Sequence, residues 1–398
     1  MQDLSIYIHI PFCVRKCAYC DFLSSPQDEE TREKYVCALV RSIRAGAPFC
    51  APVEQNQAHE DSCSAEKCRA EDRLVRTIYL GGGTASLLTP GQILRILEAV
   101  FDTFRVDPDA EITLECNPGT ASPENLLAFR RCDVNRLSVG VQSMNDRELA
   151  MLGRIHTAQD AVRTVRAARG AGFENLSLDL MSALPGQDFE TFRASLHGIM
   201  QMEPEHLSVY SLILEEGTPL AERALKGTLP EIPGDEEDRR MYYYTREYLE
   251  RFGLEQYEIS NYALPGRQSS HNVGYWTGRE YLGFGLGAAS WYAGRRFHVT
   301  RSLQQFIEDP CHEKNLEEIS VLSLREQMEE FMFLGLRMTQ GVSGKDFLQR
   351  FGQEMDEVYR DPIRRFTDAG LLVREEDRIR LTFRGLDLAN TVMAEFLL

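Results

Sequence analysis

Residues 4–22 read LSIYIHIPFCVRKCAYCDF, an apolar strand pattern that runs directly into cysteines at positions 13, 17 and 20. The stretch Leu4 to Ile10 is rich in β-branched and aromatic residues, which predicts a strand. Three residues separate Cys13 from Cys17 and two separate Cys17 from Cys20. That spacing lets one short loop wrap a cubane and place three thiolates on three of its irons, so a [4Fe–4S] cluster is expected here. Ferredoxin loops close such a cluster with a fourth cysteine, whereas here one iron stays open. An open iron can take the amino and carboxylate groups of S-adenosylmethionine and pass an electron to its sulfonium, with homolytic C–S cleavage to a 5′-deoxyadenosyl radical. Zinc is the alternative, but a structural zinc site takes four protein ligands and no paired second motif supplies the fourth.

Further strand-like runs follow at 77–80, 111–115, 136–141, 175–181 and 207–214. Amphipathic helical segments such as Pro90 to Phe104, Ala158 to Gly172 and Asp188 to Met202 lie between them. Six strands alternating with crossover helices predict an α/β fold with a parallel sheet, an incomplete (β/α)6 TIM-like barrel. Residues 47–73 interrupt this rhythm with Pro, Gln, Ser and Glu and show no hydrophobic period, so a surface insertion is expected. Cys63 and Cys68, with His59 nearby, form too loose a group to argue for a metal site.

Beyond the barrel, 242–252 reads as a helix, and 256–261 and the glycine-rich 283–287 suggest more strand and turn. A break is expected at Asp309 and Pro310, dividing 1–309 from 310–398. Helical stretches at 324–338 and 356–369, then a ribbon of 371–373 and 379–381, give a winged-helix-like order. From Asn315 onward there are 16 acidic and 11 basic residues, so packing or a lid suits this module better than DNA. The whole chain of 398 residues carries a formal net charge of −17, which argues against a phosphate backbone as partner. No run of 18 apolar residues occurs, and Met1 to Ile10 lacks a basic segment followed by an apolar one. The expectation is a cytoplasmic protein with no integral membrane span, whose ten cysteines are thiols.

Polar residues gather at the carboxyl ends of the expected strands, where barrel enzymes place their chemistry: Gly81 to Thr84, Glu115, Gln142 and Asp179. Arg154 is available to pair with a carboxylate.

Across IHIPFCVRKCAYCDF (8–22), GGGTAS (81–86), NRLSVGVQS (135–143), GRIHTA (153–158), DLMSALPGQ (179–187), EEGT (215–218), YEISNY (257–262) and HNVGYW (271–276), the sequence resembles the HemN/HemW family of radical SAM proteins, closest to its HemW group. The resemblance spans nearly the whole chain except 47–73. It implies that Cys13, Cys17 and Cys20 ligate the cluster. It also implies that Tyr7, Tyr19, Gly82, Gly83, Thr84, Glu115, Gln142, Arg154, Asp179 and Ile213 line the S-adenosylmethionine sites. Ala85 stands where the family usually has proline.

HemN proper, the oxygen-independent coproporphyrinogen III oxidase, carries a further cysteine two residues after the third cluster ligand; here that position is Phe22. The resemblance therefore implies a radical SAM heme chaperone rather than a decarboxylating oxidase, with heme and an acceptor hemoprotein as partners and an electron donor for the cluster. A homodimer held by the cluster is a further role open to it. HNVGYW matches the group's heme motif: His271 would ligate iron, and Tyr275 and Trp276 would offer flat surface to a porphyrin.

Overall fold

The computed structural model describes residues 3–46 and 73–397. Six strands run parallel in sequence order: β1 (Asp3–Ile10), β2 (Leu74–Gly82), β3 (Arg105–Cys116), β4 (Arg136–Gln142), β5 (Leu176–Ser182) and β6 (His206–Ser211). Helical crossovers join each to the next, among them Glu29–Arg44, Pro90–Thr103, Pro123–Arg131, Ala158–Gly170 and Phe189–Met200. Local chemistry sets several helix starts. Thr89 and Gln92 form a reciprocal capping box with Pro90 at the first turn, and Asp188 and Thr191 form another.

The two faces of these strands differ. Ile6, Ile8 and Ile10, Leu80, Leu114, Val139, Leu178 and Leu207 point toward the helices and make one continuous core with them. The alternate positions are polar and line the barrel interior. The partial barrel does not close on itself. Beyond β1 the sheet continues through β9 (Glu280–Phe284), which is parallel to β1, and then through antiparallel β10 (Ala289–Tyr292), β11 (Arg295–Val299) and β12 (Leu316–Val321). Beyond β6 it continues through β8 (Asn261–Ala263) and β7 (Glu255–Glu258).

Two expectations need correction. The break at Asp309–Pro310 does not part the chain, because β12 lies beyond it and still pairs with β11. Arg73, placed in the surface insertion, is instead buried at the entry to β2 with its guanidinium 3.0 Å from Glu280. The rest of that insertion, with Cys50, Cys63, Cys68 and His59, lies outside the described residues.

A second core forms from Met328 to Phe396. Helices Leu324–Gly335, Gly344–Phe351 and Met355–Asp368 pack with a small sheet of β13 (Val342–Ser343), β14 (Leu372–Glu375) and β15 (Arg378–Leu381), in the order β13-β15-β14. The Arg296–Glu330 ion pair, at 2.7 Å, and the Thr339 amide donating to the Tyr257 carbonyl, at 3.0 Å, fasten this module to the large sheet.

Candidate functional site

The three cysteines lie on the loop leaving β1 and line a cavity of about 400 Å³ at the carboxyl ends of the parallel strands. Backbone bonds hold this loop to two other parts of the chain. The Ala18 amide donates to Leu152 O (2.9 Å), and the Leu220 amide donates to Ala18 O (2.8 Å). The thiols face donors. Thr84 Oγ1 lies 3.6 Å from Cys13 Sγ and Arg154 Nη1 lies 3.6 Å from Cys17 Sγ. Among the described residues no three His, Cys, Asp or Glu side chains converge on a point that one metal ion would fill. A cubane instead needs its thiolates at separate corners, which is the donor set this loop offers.

Arg154 ties the loop to the strand ends: it donates to Asn117 Oδ1 and to the Gly140 carbonyl, each at 2.6 Å. Asn117 in turn donates to Thr84 Oγ1 at 2.7 Å. On the opposite wall Glu115 accepts from Tyr79 Oη (2.8 Å) and from the Gly82 amide (2.9 Å). The glycines are fitted to their neighbours. A Cβ on Gly82, whose φ is +109°, would sit 2.3 Å from the His9 ring, and one on Gly83 would sit 2.6 Å from the Phe12 carbonyl oxygen. Gln142 holds a left-handed backbone with φ +67° and accepts from Tyr210 Oη at 2.9 Å. Strain of this kind concentrates at binding sites.

Burial pushes the Glu115 carboxyl above its usual range, and burial with the Glu115 charge pushes Asp179 up to about 7. The Arg136 guanidinium opposes both shifts from the strand interior, where its side chain is only 2% exposed. Tyr19, Ile213 and Phe22 complete the wall, Ile213 and Phe22 being 70% and 66% exposed.

The structure thus brings together the three cysteines, Tyr19, Gly82, Gly83, Thr84, Glu115, Gln142, Arg154, Asp179 and Ile213. Tyr7 is the exception. It donates to His9 Nδ1 at 2.9 Å and lines a different cavity. Asn117, Ser138 and Tyr210 line the pocket without having stood out in the sequence. For Ser138 the signal was the alternation of polar positions along a buried strand, as in Arg136, Ser138, Gly140 and Gln142.

The HNVGYW segment is the helix Ser270–Trp276, at the opposite end of the barrel from the cysteines. Glu111, midway along β3 and paired with Thr77 of β2, accepts from the Ser270 and His271 amides at 3.0 and 3.1 Å. His271 is 1% exposed, with Nδ1 2.8 Å from Thr77 Oγ1 and Nε2 2.9 Å from Tyr275 Oη. Both ring nitrogens are hydrogen-bonded in this arrangement. Tyr275 and Trp276 do face a cavity, one of about 590 Å³ between the barrel and the carboxyl-terminal module.

Comparison with known proteins agrees with this layout. Residues 7–198 match the radical SAM superfamily and residues 322–388 match the HemN C-terminal domain. The chain is 35% identical over 394 residues to the heme chaperone HemW of Lactococcus lactis, covering 99% of this chain and 97% of that protein. It is 35% identical to the heme chaperone HemW of Bacillus subtilis, covering 99% of each. It is also 32% identical to the mitochondrial radical S-adenosyl methionine domain-containing protein 1 of Bos taurus, covering 100% of this chain and 88% of that one. Among solved structures, Escherichia coli coproporphyrinogen III oxidase (HemN), a radical SAM enzyme, superposes with a TM-score of 0.81 at 22% identity over 100% of this chain and 90% of that one, a likeness of fold.

Proposed function

The chain belongs to the HemW group of the HemN/HemW family of radical SAM proteins, and on that premise we propose that it is a heme chaperone that holds a [4Fe–4S] cluster, binds S-adenosylmethionine beside it, and hands heme to an acceptor hemoprotein. The observation that carries this reading is full-length similarity to proteins named heme chaperones, at 35% identity and without a gap in coverage large enough to drop either module.

Cys13, Cys17 and Cys20 are the cluster ligands in this reading. Bound there, the cluster supplies the electron for reductive cleavage of S-adenosylmethionine. The chain's own part is to shape and charge the pocket. Thr84 and Arg154 stabilise thiolates at Cys13 and Cys17 as hydrogen-bond donors. Glu115 and Asp179 offer carboxylates to a cationic sulfonium and its ammonium group, and Gly82 and Gly83 let the backbone approach without a side chain between. Tyr19 and Ile213 supply apolar surface for the nucleoside.

Phe22 separates this reading from that of a porphyrinogen oxidase. It sits exposed at the pocket rim in the position of the oxidase's additional cysteine, and a phenyl ring offers neither a thiol proton nor a hydrogen atom donor there. The test is one anaerobically reconstituted sample given coproporphyrinogen III with reductant and S-adenosylmethionine, and separately titrated with heme. The expected outcome is a stoichiometric Soret shift and no protoporphyrinogen IX. Turnover of the porphyrinogen would replace this reading with the oxidase.

No described helix is long and apolar enough to cross a membrane.

A further inference from the structure

Resting on the cluster reading, we propose that Asn117 is a positioning residue for the cluster's hydrogen-bond donors. Its side-chain amide aims the Thr84 hydroxyl proton at Cys13 and holds the Arg154 guanidinium beside Cys17, and so raises the potential at which a cluster on these thiolates is reduced.

Asn117 is the first residue beyond β3, and Thr120 fixes its backbone there by donating to its carbonyl from both amide and hydroxyl, at 3.1 and 2.7 Å. Its side chain lies between Arg154 Nη2, at 2.6 Å, and Thr84 Oγ1, at 2.7 Å. The proton positions follow from these two neighbours. A guanidinium has N–H donors and no acceptor, so the atom that faces Arg154 is the amide oxygen. The amide nitrogen then faces Thr84 and can only donate, which makes Thr84 Oγ1 the acceptor. The one hydroxyl proton of Thr84 is left over. Among the described residues its remaining hydrogen-bond partner is Cys13 Sγ, 3.6 Å away. Gly140 keeps the space for this arrangement. Its backbone is not left-handed, yet a Cβ there would lie 3.0 Å from Asn117 Oδ1 and 3.3 Å from Arg154 Nη2.

One amide thus governs the donors to two of the three cysteine sulfurs. Hydrogen bonds to the sulfurs of an iron–sulfur centre favour its electron-richer state and raise its potential. A buried network strengthens each bond in it. An aspartate at position 117 would have nearly the same shape and would still accept from Arg154, but it has no proton to give. Thr84 would then turn its hydroxyl to the carboxylate, and Cys13 would lose its donor.

The test is the midpoint potential of the anaerobically reconstituted full chain, titrated with dithionite and mediators. Far-ultraviolet circular dichroism and iron content check fold and loading in each variant. Thr84→Val should disfavour one-electron reduction by about tenfold, a shift of about 59 mV to more negative potential. Thr84→Ser keeps the hydroxyl and should stay at the wild-type value. Asn117→Asp should move wild type to more negative potential by more than it moves Thr84→Val, because the latter has no hydroxyl to turn and responds only to the added charge. Equal shifts in the two backgrounds would overturn the role of Asn117. A Thr84→Val protein at the wild-type potential would overturn the donor through which Asn117 acts, whatever the aspartate variants do. A wild-type chain that takes up no iron and sulfide would instead remove the cluster reading beneath the proposal.

Discussion

Asp179 shows how single residues set the character of the cluster pocket. Its carboxyl is pushed up to about 7, first by burial and then by Glu115, so much of it is protonated when the pocket holds no cation. The folded pKa lies above the unfolded one. The folded protein therefore holds the extra proton and loses stability as pH rises from about 4 to about 7. Asp179→Asn should stabilise the ligand-free protein by about 1–3 kcal/mol at pH 8, measured by denaturant unfolding. In wild type a cationic ligand favours the ionised form, so S-adenosylmethionine should bind more tightly as pH climbs from about 5.5 to about 7.5. Titration calorimetry across buffers should show proton release in that window and none in Asp179→Asn. Glu115 and Asp179 were legible from their places near strand ends, and Arg154 as a cation available to pair with a carboxylate. Asn117 and Tyr210 were not, because a lone polar residue gives no sign of which face it points to until the register is known. His271 was legible as notable but its contacts were not, since its partners Thr77 and Tyr275 are fixed only by the fold.

At the scale of elements, the loop after β2 is the most constrained part of the site. Gly83 abuts the Phe12 carbonyl oxygen, one residue before Cys13, and its amide donates to Ile10 O at 2.9 Å. Gly83→Ala must move that backbone or itself, so the cysteine loop shifts. Iron and acid-labile sulfide per chain after reconstitution should fall by half or more relative to wild type, with far-ultraviolet circular dichroism unchanged; full cluster content would show that the loop has slack. Here Ala85, in place of the family's proline, opens a short buried turn at 85–87 without needing the ring. Strand and helix periods made most of the β/α alternation readable. The missed elements have physical reasons. β3 begins at Arg105, within RVDPDAE, where polarity hides the strand. The helix Gly344–Phe351 has only eight residues, with glycine at its start and Gly352 in a left-handed cap at its end.

The whole molecule places its two cavities apart. The cysteines sit at the carboxyl ends of the parallel strands, and the HNVGYW helix plugs the amino ends. Between them runs a column of interior side chains: Tyr79 donates to Glu115 above, and its ring lies 5.0 Å from that of His271 below. Strand order was the least legible feature. Nothing local in Glu280–Phe284 tells that it pairs with β1, 276 residues earlier, because that register is set by the packed core and not by the strand itself. The same holds for the second cavity, whose walls come from both modules. The most direct measurement is stopped-flow transfer from the heme-loaded, reconstituted protein to an apo-globin, followed at the acceptor's Soret band. Direct handover predicts a rate that rises with acceptor concentration and exceeds the rate of spontaneous heme loss. A rate independent of acceptor, equal to dissociation into solvent, would contradict the chaperone account.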